Sequence, residues 1–288
     1  MFAQVLLSGL ALGSIYGLVA LGFAVVFKAT DVFNFAQGMF VVCGAFFAVT
    51  AITLLGLPFP LAIAAIIGAC ATLGVVIHVL LIQPLAGRPM LSVIMLTIAL
   101  SIVLRALIEM SYGPQGRTLV TPLPAGIFLV GGVRISQLHL IAALVSWACM
   151  AGFGAFFKFT SIGLLMRATA DNHEAAVVSG VNVNVMNRLA WAIGSVLAGI
   201  GGLFLGQLQI VSTELESIGL LALPAVVIGG MQSIPGAIIG GLLVGLIEQF
   251  AASYISPKSS DILIYVLLML ILMVRPWGLF GQRELGRV

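Results

Sequence analysis

Charge is scarce in this chain. Its 288 residues include 12 Lys and Arg and 9 Asp and Glu, 7% charged in all, whereas a soluble globular domain averages about 25%. That shortage excludes an ordinary water-soluble fold. Cysteine is scarce too: Cys43, Cys70 and Cys149 lie far apart within apolar stretches, which excludes a disulfide framework or a cysteine metal cluster and leaves packing as their role. His78, His139 and His173 are scattered with no second ligand at metal spacing, so no metal site is expected. A Gly-x-x-x-x-Gly-Lys-Ser/Thr phosphate loop is missing, so no ATP site of its own is expected. No serine, cysteine or carboxylate pair falls in a nucleophile motif. The chain reads as a non-enzyme without a bound cofactor and with no nucleic-acid partner.

What is abundant is apolar surface and glycine. Hydrophobic residues make up 61% of the chain and glycine contributes 34 positions, with a mean hydropathy of +1.25. The expected fold class is therefore all-α, a single polytopic membrane domain over 1–288. Apolar segments near 4–27, 35–55, 60–82, 91–110, 138–157, 188–210 and 261–275 approach the about 20 residues needed to cross hydrocarbon, and about eight spans are expected. The pairs Gly9/Gly13, Gly13/Gly17, Gly202/Gly206, Gly236/Gly240 and Gly241/Gly245 follow the small-xxx-small spacing that lets helix backbones meet closely in lipid.

The region 218–253 breaks that regularity. A short apolar run ends at Gln232-Ser233-Ile234-Pro235-Gly236 before a second glycine-rich helix begins, which predicts a re-entrant or discontinuous helix pair. Interrupted backbone at membrane depth is tolerated where protein or a watery cavity satisfies it, so the break marks a pathway candidate. Phe35 to Gly44 echoes Ser233 to Leu242, each opening a helix with glycine after a polar break. The pathway candidates are thus Asn34, Gln37 and Gly38 at one break and Gln232, Ser233, Pro235 and Gly236 at the other. Helix starts expose backbone N–H groups that attract a carboxylate; the alternative reading makes these residues caps and turns.

Between Lys158 and Arg188 the chain turns polar around a short amphipathic helix at Arg167–Gly180. Placing this island, 158–188, in the cytoplasm fixes the other loops by alternation. Lys28, Arg88, Lys158, Arg167, Arg188, Arg275, Arg283 and Arg287 then fall inside, against Arg117, Arg134 and Lys258 outside, as the positive-inside rule requires. The N-terminus is expected outside and the C-terminus inside. No basic region precedes the first apolar run, so the first helix is expected to be retained.

The ordered series Gly13-Ser14-Ile-Tyr16-Gly17, Asn34-Phe35-Ala36-Gln37-Gly38, Gly229-Gly230-Met-Gln-Ser-Ile-Pro235-Gly236 and Arg275-Pro276-Trp-Gly278-Leu-Phe-Gly281 resembles the branched-chain amino acid permease family of ATP-binding cassette importers. The resemblance covers essentially the whole chain, departing at Gln37 and Met39, where the family often carries His and an acidic residue. Glu174-Ala175-Ala176 followed by Gly180 matches that family's cytoplasmic coupling loop. What this implies is a bacterial or archaeal inner-membrane importer subunit that works with a second, homologous permease, two cytoplasmic ATPases carrying ATP and Mg, and an extracytoplasmic solute-binding protein. The implied cargo is a branched-chain or other small apolar amino acid; urea, amides and aromatic or short carboxylates share the same machinery. In the coupling loop the resemblance assigns Arg167, Asp171, Glu174, Ala175, Ala176 and Gly180 to the ATPase joint. A gradient-driven transporter or a noncatalytic assembly subunit is the competing class.

Other charged residues carry further expectations. Arg105 and Glu109 stand four apart and are expected to neutralise one another. Glu248 is deep enough to need either a structural partner or a place on the pathway. The loop 111–137, with prolines at 114, 122 and 124, is expected to form an ordered outer cap rather than a helix, and Glu214 and Glu216 to dock the binding protein.

Overall fold

The computed structural model describes residues 2–85, 87–124, 126–130, 133–256 and 259–281. Lys258, Arg283 and Arg287, used above for the sidedness argument, lie outside the described residues.

Helices dominate. In chain order they are α1 (Phe2–Thr30), α2 (Gln37–Ala48, continuing as a π-helical turn Val49–Leu54), α3 (Phe59–Ile77, continuing as a π-helical turn His78–Ile82), α4 (Met90–Tyr112), α5 (Gln137–Phe159), α6 (Ser161–Asp171), α7 (His173–Val178), α8 (Val183–Leu208), α9 (Leu215–Leu220), α10 (Ala222–Gly229), α11 (Ile234–Tyr254) and α12 (Ser260–Val274). Seven of the described helices are long and apolar enough to cross a membrane, and Leu215–Gly229 and Ser260–Val274 are shorter apolar helices. The second member of the predicted broken pair, α11, is thus itself a full-length span.

Two helices form the axis around which the others gather. α1 packs along α11 and α8, and the reason is steric. A methyl group added at Gly13 would lie 2.9 Å from Leu242 Cα, and one at Gly9 3.1 Å from Leu246 Cα. On the α11 side a methyl at Gly241 or Gly245 would overlap the Cα of Gly17 or Gly13, so the backbones touch and dispersion replaces the hydrophobic drive that lipid cannot supply. α8 runs beside α1, α2 and α3, burying Trp191, Leu205 and its glycines among them.

α4 and α5 are largely apolar on every face but packed on one stripe. Val93, Thr97, Leu100, Leu104 and Ile108 of α4 are buried, while Leu91, Met95, Ile102, Val103, Leu107 and Met110 are exposed. A helix of this kind needs hydrocarbon or another subunit on its free side.

The segment expected to cap the far end contains an antiparallel hairpin, β1 (Ile127–Val130) and β2 (Val133–Ser136), registered with Phe128 opposite Ile135. Arg117 and Val211 exchange backbone hydrogen bonds of 2.8 and 2.9 Å, tying this cap to the α8–α9 connection. Arg117 also donates to the Tyr112 carbonyl at 2.8 Å and its guanidinium stands 5.4 Å from the Tyr112 ring.

Candidate functional site

The polar island folds as two helices rather than the single one expected. Asn172 interrupts them because its side chain accepts from Ala175 N–H at 2.9 Å, satisfying an orphan donor of α7 as an N-cap. Thr160 does the same for α6, accepting from Gly163 N–H at 2.9 Å, and Asn182 for α8, accepting from Val185 N–H at 3.2 Å. α7 ends where Gly180 adopts φ +82°. Gly180 N–H donates to Val177 O and Val181 N–H to Ala176 O, both at 3.0 Å, the paired bonds of a left-handed glycine stop.

Exposure divides the coupling candidates. Asp171, Glu174, Ala175 and Gly180 face outward. Ala176 does not: it is buried within the chain, which corrects its expected role as a contact surface. Arg167 is half-buried and donates to the Phe157 carbonyl, with its guanidinium 5.6 Å from the Phe157 ring. It therefore anchors α6 to the end of α5 instead of reaching out. Sequence reasoning passed over Val177 and Val178, although the latter is 89% exposed. Two adjacent valines at the tip of a polar island were the available signal.

The two helix breaks do not converge. At the first, Asn34 and Gln37 are 0% and 1% exposed. Asn34 Oδ1 accepts from Ala36 N–H at 3.1 Å, Asn34 Nδ2 donates to Gln37 Oε1 at 3.1 Å, and Gln37 Nε2 reaches the Val19 and Gly194 carbonyls at 3.4 Å each. Gly38 lies so close to α9 that an added methyl would stand 2.6 Å from Glu216 O. These polar groups are consumed by the core, and the expected open N–H cradle is not offered there.

The second break behaves differently. Ser233 Oγ accepts from Gly236 N–H at 3.1 Å, and Gly236 is buried against Gly229, with an added methyl 2.8 Å from Gly229 C. Gln232 and Pro235 are exposed. With Ser233 they line a cavity of about 810 Å³ that also takes in Lys28, Lys158, Arg167 and Asp171. The second break and the island thus share one water-accessible recess. The segment after α12 closes its back wall, where Leu279 N–H donates to Ile228 O at 2.8 Å and Phe280 N–H to Gly229 O at 3.0 Å.

The charged pairs also differ from expectation. Arg105 is bound not to Glu109 but to Glu216, to which both Nε, at 3.2 Å, and a terminal nitrogen donate. Glu109 instead accepts from the Thr213 hydroxyl at 3.3 Å. Glu216 is 8% exposed, so it is no part of an outer docking face; Glu214, two residues earlier, is exposed. A helical spacing suggested the local pair, but a side chain from a later helix competed for the same guanidinium and won. Arg105 lies seven residues before the end of α4, roughly 10 Å inside the span at 1.5 Å per residue. Its side chain stays 44% exposed on a largely apolar helix, where an arginine facing lipid costs about 2.5–3.5 kcal/mol at the bilayer centre and less toward the interface. Covering that face with protein or water, or reaching the interface, removes that cost.

Glu248 of α11 is half-buried, and its carboxylate lies within electrostatic reach of the Tyr16 hydroxyl of α1 and of Asp261. The Tyr16 hydroxyl and Glu248 Oε2 are both buried outside hydrogen-bonding geometry. Cys43 and Cys70 are buried and unbridged, and among the described residues no three His, Cys, Asp or Glu side chains converge on one point.

A bundle of lipid-length helices with a structured polar island on one end and an ion pair inside its apolar wall defines a multi-pass membrane permease. The family model described as "Branched-chain amino acid transport system / permease component" matches residues 5–272, and the chain belongs to that family. It is 32% identical to the high-affinity branched-chain amino acid transport system permease protein BraD of Pseudomonas aeruginosa, over 100% of this chain and 98% of that one. It is 29% identical to the corresponding LivH protein of Escherichia coli over the same shares, and 25% identical to a probable LivH of Methanocaldococcus jannaschii over 92% of this chain and 88% of the other. Among solved structures, PsaBC from Streptococcus pneumoniae in complex with Fab is similar in fold, with a TM-score of 0.51, 16% identity and coverage of 94% and 95% of the two chains.

Proposed function

We propose that this chain is a membrane-spanning subunit of an ATP-driven importer, passing branched-chain or other small apolar amino acids inward from a solute-binding protein. It works with a second homologous permease and two ATPase subunits, which hold ATP and Mg; the chain itself hydrolyses nothing. In the cell membrane its N-terminus faces outward and its C-terminus the cytoplasm. Supporting that orientation, Lys28, Arg88, Lys158, Arg167 and Arg188 collect at the island end.

The observation that carries this reading is the build of the island. Its outward surface, Asp171, Glu174, Ala175, Val177, Val178 and Gly180, is exposed, while its inward side is fastened to the spans by Arg167, which bonds the end of α5, and by the packing of α6 and α7 on α8. An ATPase seated on that surface would move α5 and α8 with it, and α8 packs on α1, α2 and α3. A stiff joint of this kind converts nucleotide-driven closure into a rocking of the spans. Glu174 supplies a charge-assisted hydrogen bond to the ATPase and the two valines fill an apolar depression on it.

Along the route, the half-exposed Arg105 with Glu216 and the recess at Gln232, Ser233 and Pro235 are the polar stations, between apolar walls suited to a hydrocarbon side chain. Asn34, Gln37, Gly38 and Gly236 shape the route by packing, and Glu248 with Tyr16 borders it. Glu214 and the hairpin form the outer docking face. Replacing Glu174 or Gly180 by Trp in the assembled complex should sharply lower solute-stimulated ATPase activity. Unaltered stimulation with intact assembly would overturn the coupling role.

A further inference from the structure

A second inner-end cavity, of about 480 Å³, opens between the end of α1, the π-helical turn after α3, the start of α4, the island and α8. Lys28 and Arg88 bring positive charge to its lining, and Asp31 and Asp171 negative charge. His78 and Asn187 also line it. His78 is 2% exposed, yet its Nδ1 and the Asn187 Oδ1 are buried with no hydrogen-bond partner. Further along the same face of α8, Arg188 Nε, Trp191 Nε1 and Ser195 Oγ are buried and unpartnered as well. His78 is itself the first residue of the π-helical turn His78–Ile82, an irregularity frequent at functional sites. Coupling and translocation as argued above use none of His78, Asn187 or Arg88.

We propose that this cavity binds a free amino-acid zwitterion from the cytoplasmic side and that its occupancy slows the importer. The inference rests on the transport reading above for its choice of ligand and of inner side. Both signs of charge in one recess select a small molecule carrying a carboxylate and an ammonium group over a simple anion or cation. Lys28 and Arg88 take the carboxylate, Asp171 the ammonium, and His78 with Asn187 gains the partners they lack. The volume exceeds that of an amino acid, leaving room for its side chain and for bridging water. Slowing follows from position. Thr169 to Asp171 and His173 form one wall, and α1 and α4 the other, so a bound molecule clamps the island to the spans against which it must move. A ligand that favours this arrangement over its alternative shifts the population toward it.

The test uses the assembled complex in lipid nanodiscs without solute-binding protein and radiolabelled leucine as probe. Saturable leucine binding is expected, weakened about tenfold by Arg88→Ala or Asn187→Leu, the loss of one charge-assisted or buried polar contact. Isovalerate, lacking the ammonium group, and isoamylamine, lacking the carboxylate, should compete poorly. In proteoliposomes fed by the binding protein, leucine on the ATPase side should slow initial uptake by about fivefold or more, an ordinary allosteric coupling. Arg88→Ala should return the ratio of loaded to empty vesicles toward one. Absence of saturable binding, equal competition by isovalerate, or a loaded-to-empty ratio of one in the unaltered complex would each overturn the site. Failure of the binding protein to drive any uptake would instead defeat the transport reading, and the nanodisc measurement would still judge the cavity.

Discussion

The two helix starts that follow a polar break, Asn34–Gly38 and Gln232–Gly236, carry similar residue types and live in opposite surroundings. At the first, the amide side chains bond each other and the backbones of α1 and α8, and glycine meets α9. At the second, serine caps its own helix while glutamine and proline face a recess shared with the island. The first is a weld and the second a rim. A polar residue before a glycine-rich helix therefore does not announce its task; the task is decided by whether another backbone lies within reach of the amide.

The contrast can be broken or sharpened by substitution. The largest effect is expected from Gly38→Val, which drives a branched side chain into the Glu216 backbone. Overpacking costs about 1–3 kcal/mol and occasionally more; against backbone that cannot give, the cost falls at the upper end, and the yield of monodisperse protein in detergent should collapse. Next comes Arg105→Met, which strands Glu216 beside that weld. The loss should fall somewhat below the roughly 3–5 kcal/mol of a fully buried pair, because Arg105 is partly exposed. The double variant Arg105→Met/Glu216→Leu should recover most of the thermal stability, and a cycle of melting temperatures reads the coupling. Asn34→Leu leaves Ala36 N–H and Gln37 short of partners and should cost about 1–3 kcal/mol, whereas Gln232→Leu at the rim should stay within roughly 0.5 kcal/mol. Equal shifts for these two would erase the distinction. Smallest in stability is Val178→Asp. Its melting temperature should hold, while solute-stimulated ATPase activity falls roughly tenfold if about 1.4 kcal/mol of joint affinity is lost.

Much of the architecture was legible because a span needs a stretch of apolar residues of fixed length, and those stretches were plain. The island and the break before α11 were equally visible, since both interrupt an otherwise apolar text. What stayed hidden was partner choice across long sequence separation. Arg105 had Glu109 at helical spacing, and only the fold brings Glu216 alongside it. Ala175 and Ala176 look interchangeable in the sequence, but the pitch of α7 turns one outward and the other in. The Asn172 break inside the island was readable in principle, as an asparagine three residues before Ala175 has the spacing of a cap.

The burial of α1 carries a consequence for how the molecule is made. Nearly all of its apolar window, 94%, is enclosed, against 22% for α5, and its glycine seam is filled by α11, more than two hundred residues later in the chain. Because α1 leaves the ribosome long before α11, it waits in the bilayer with its narrow face unfilled until α11 has followed. Arrest of synthesis before α11 would strand an inserted but unsealed intermediate, recognisable to the membrane's proteases by that open groove.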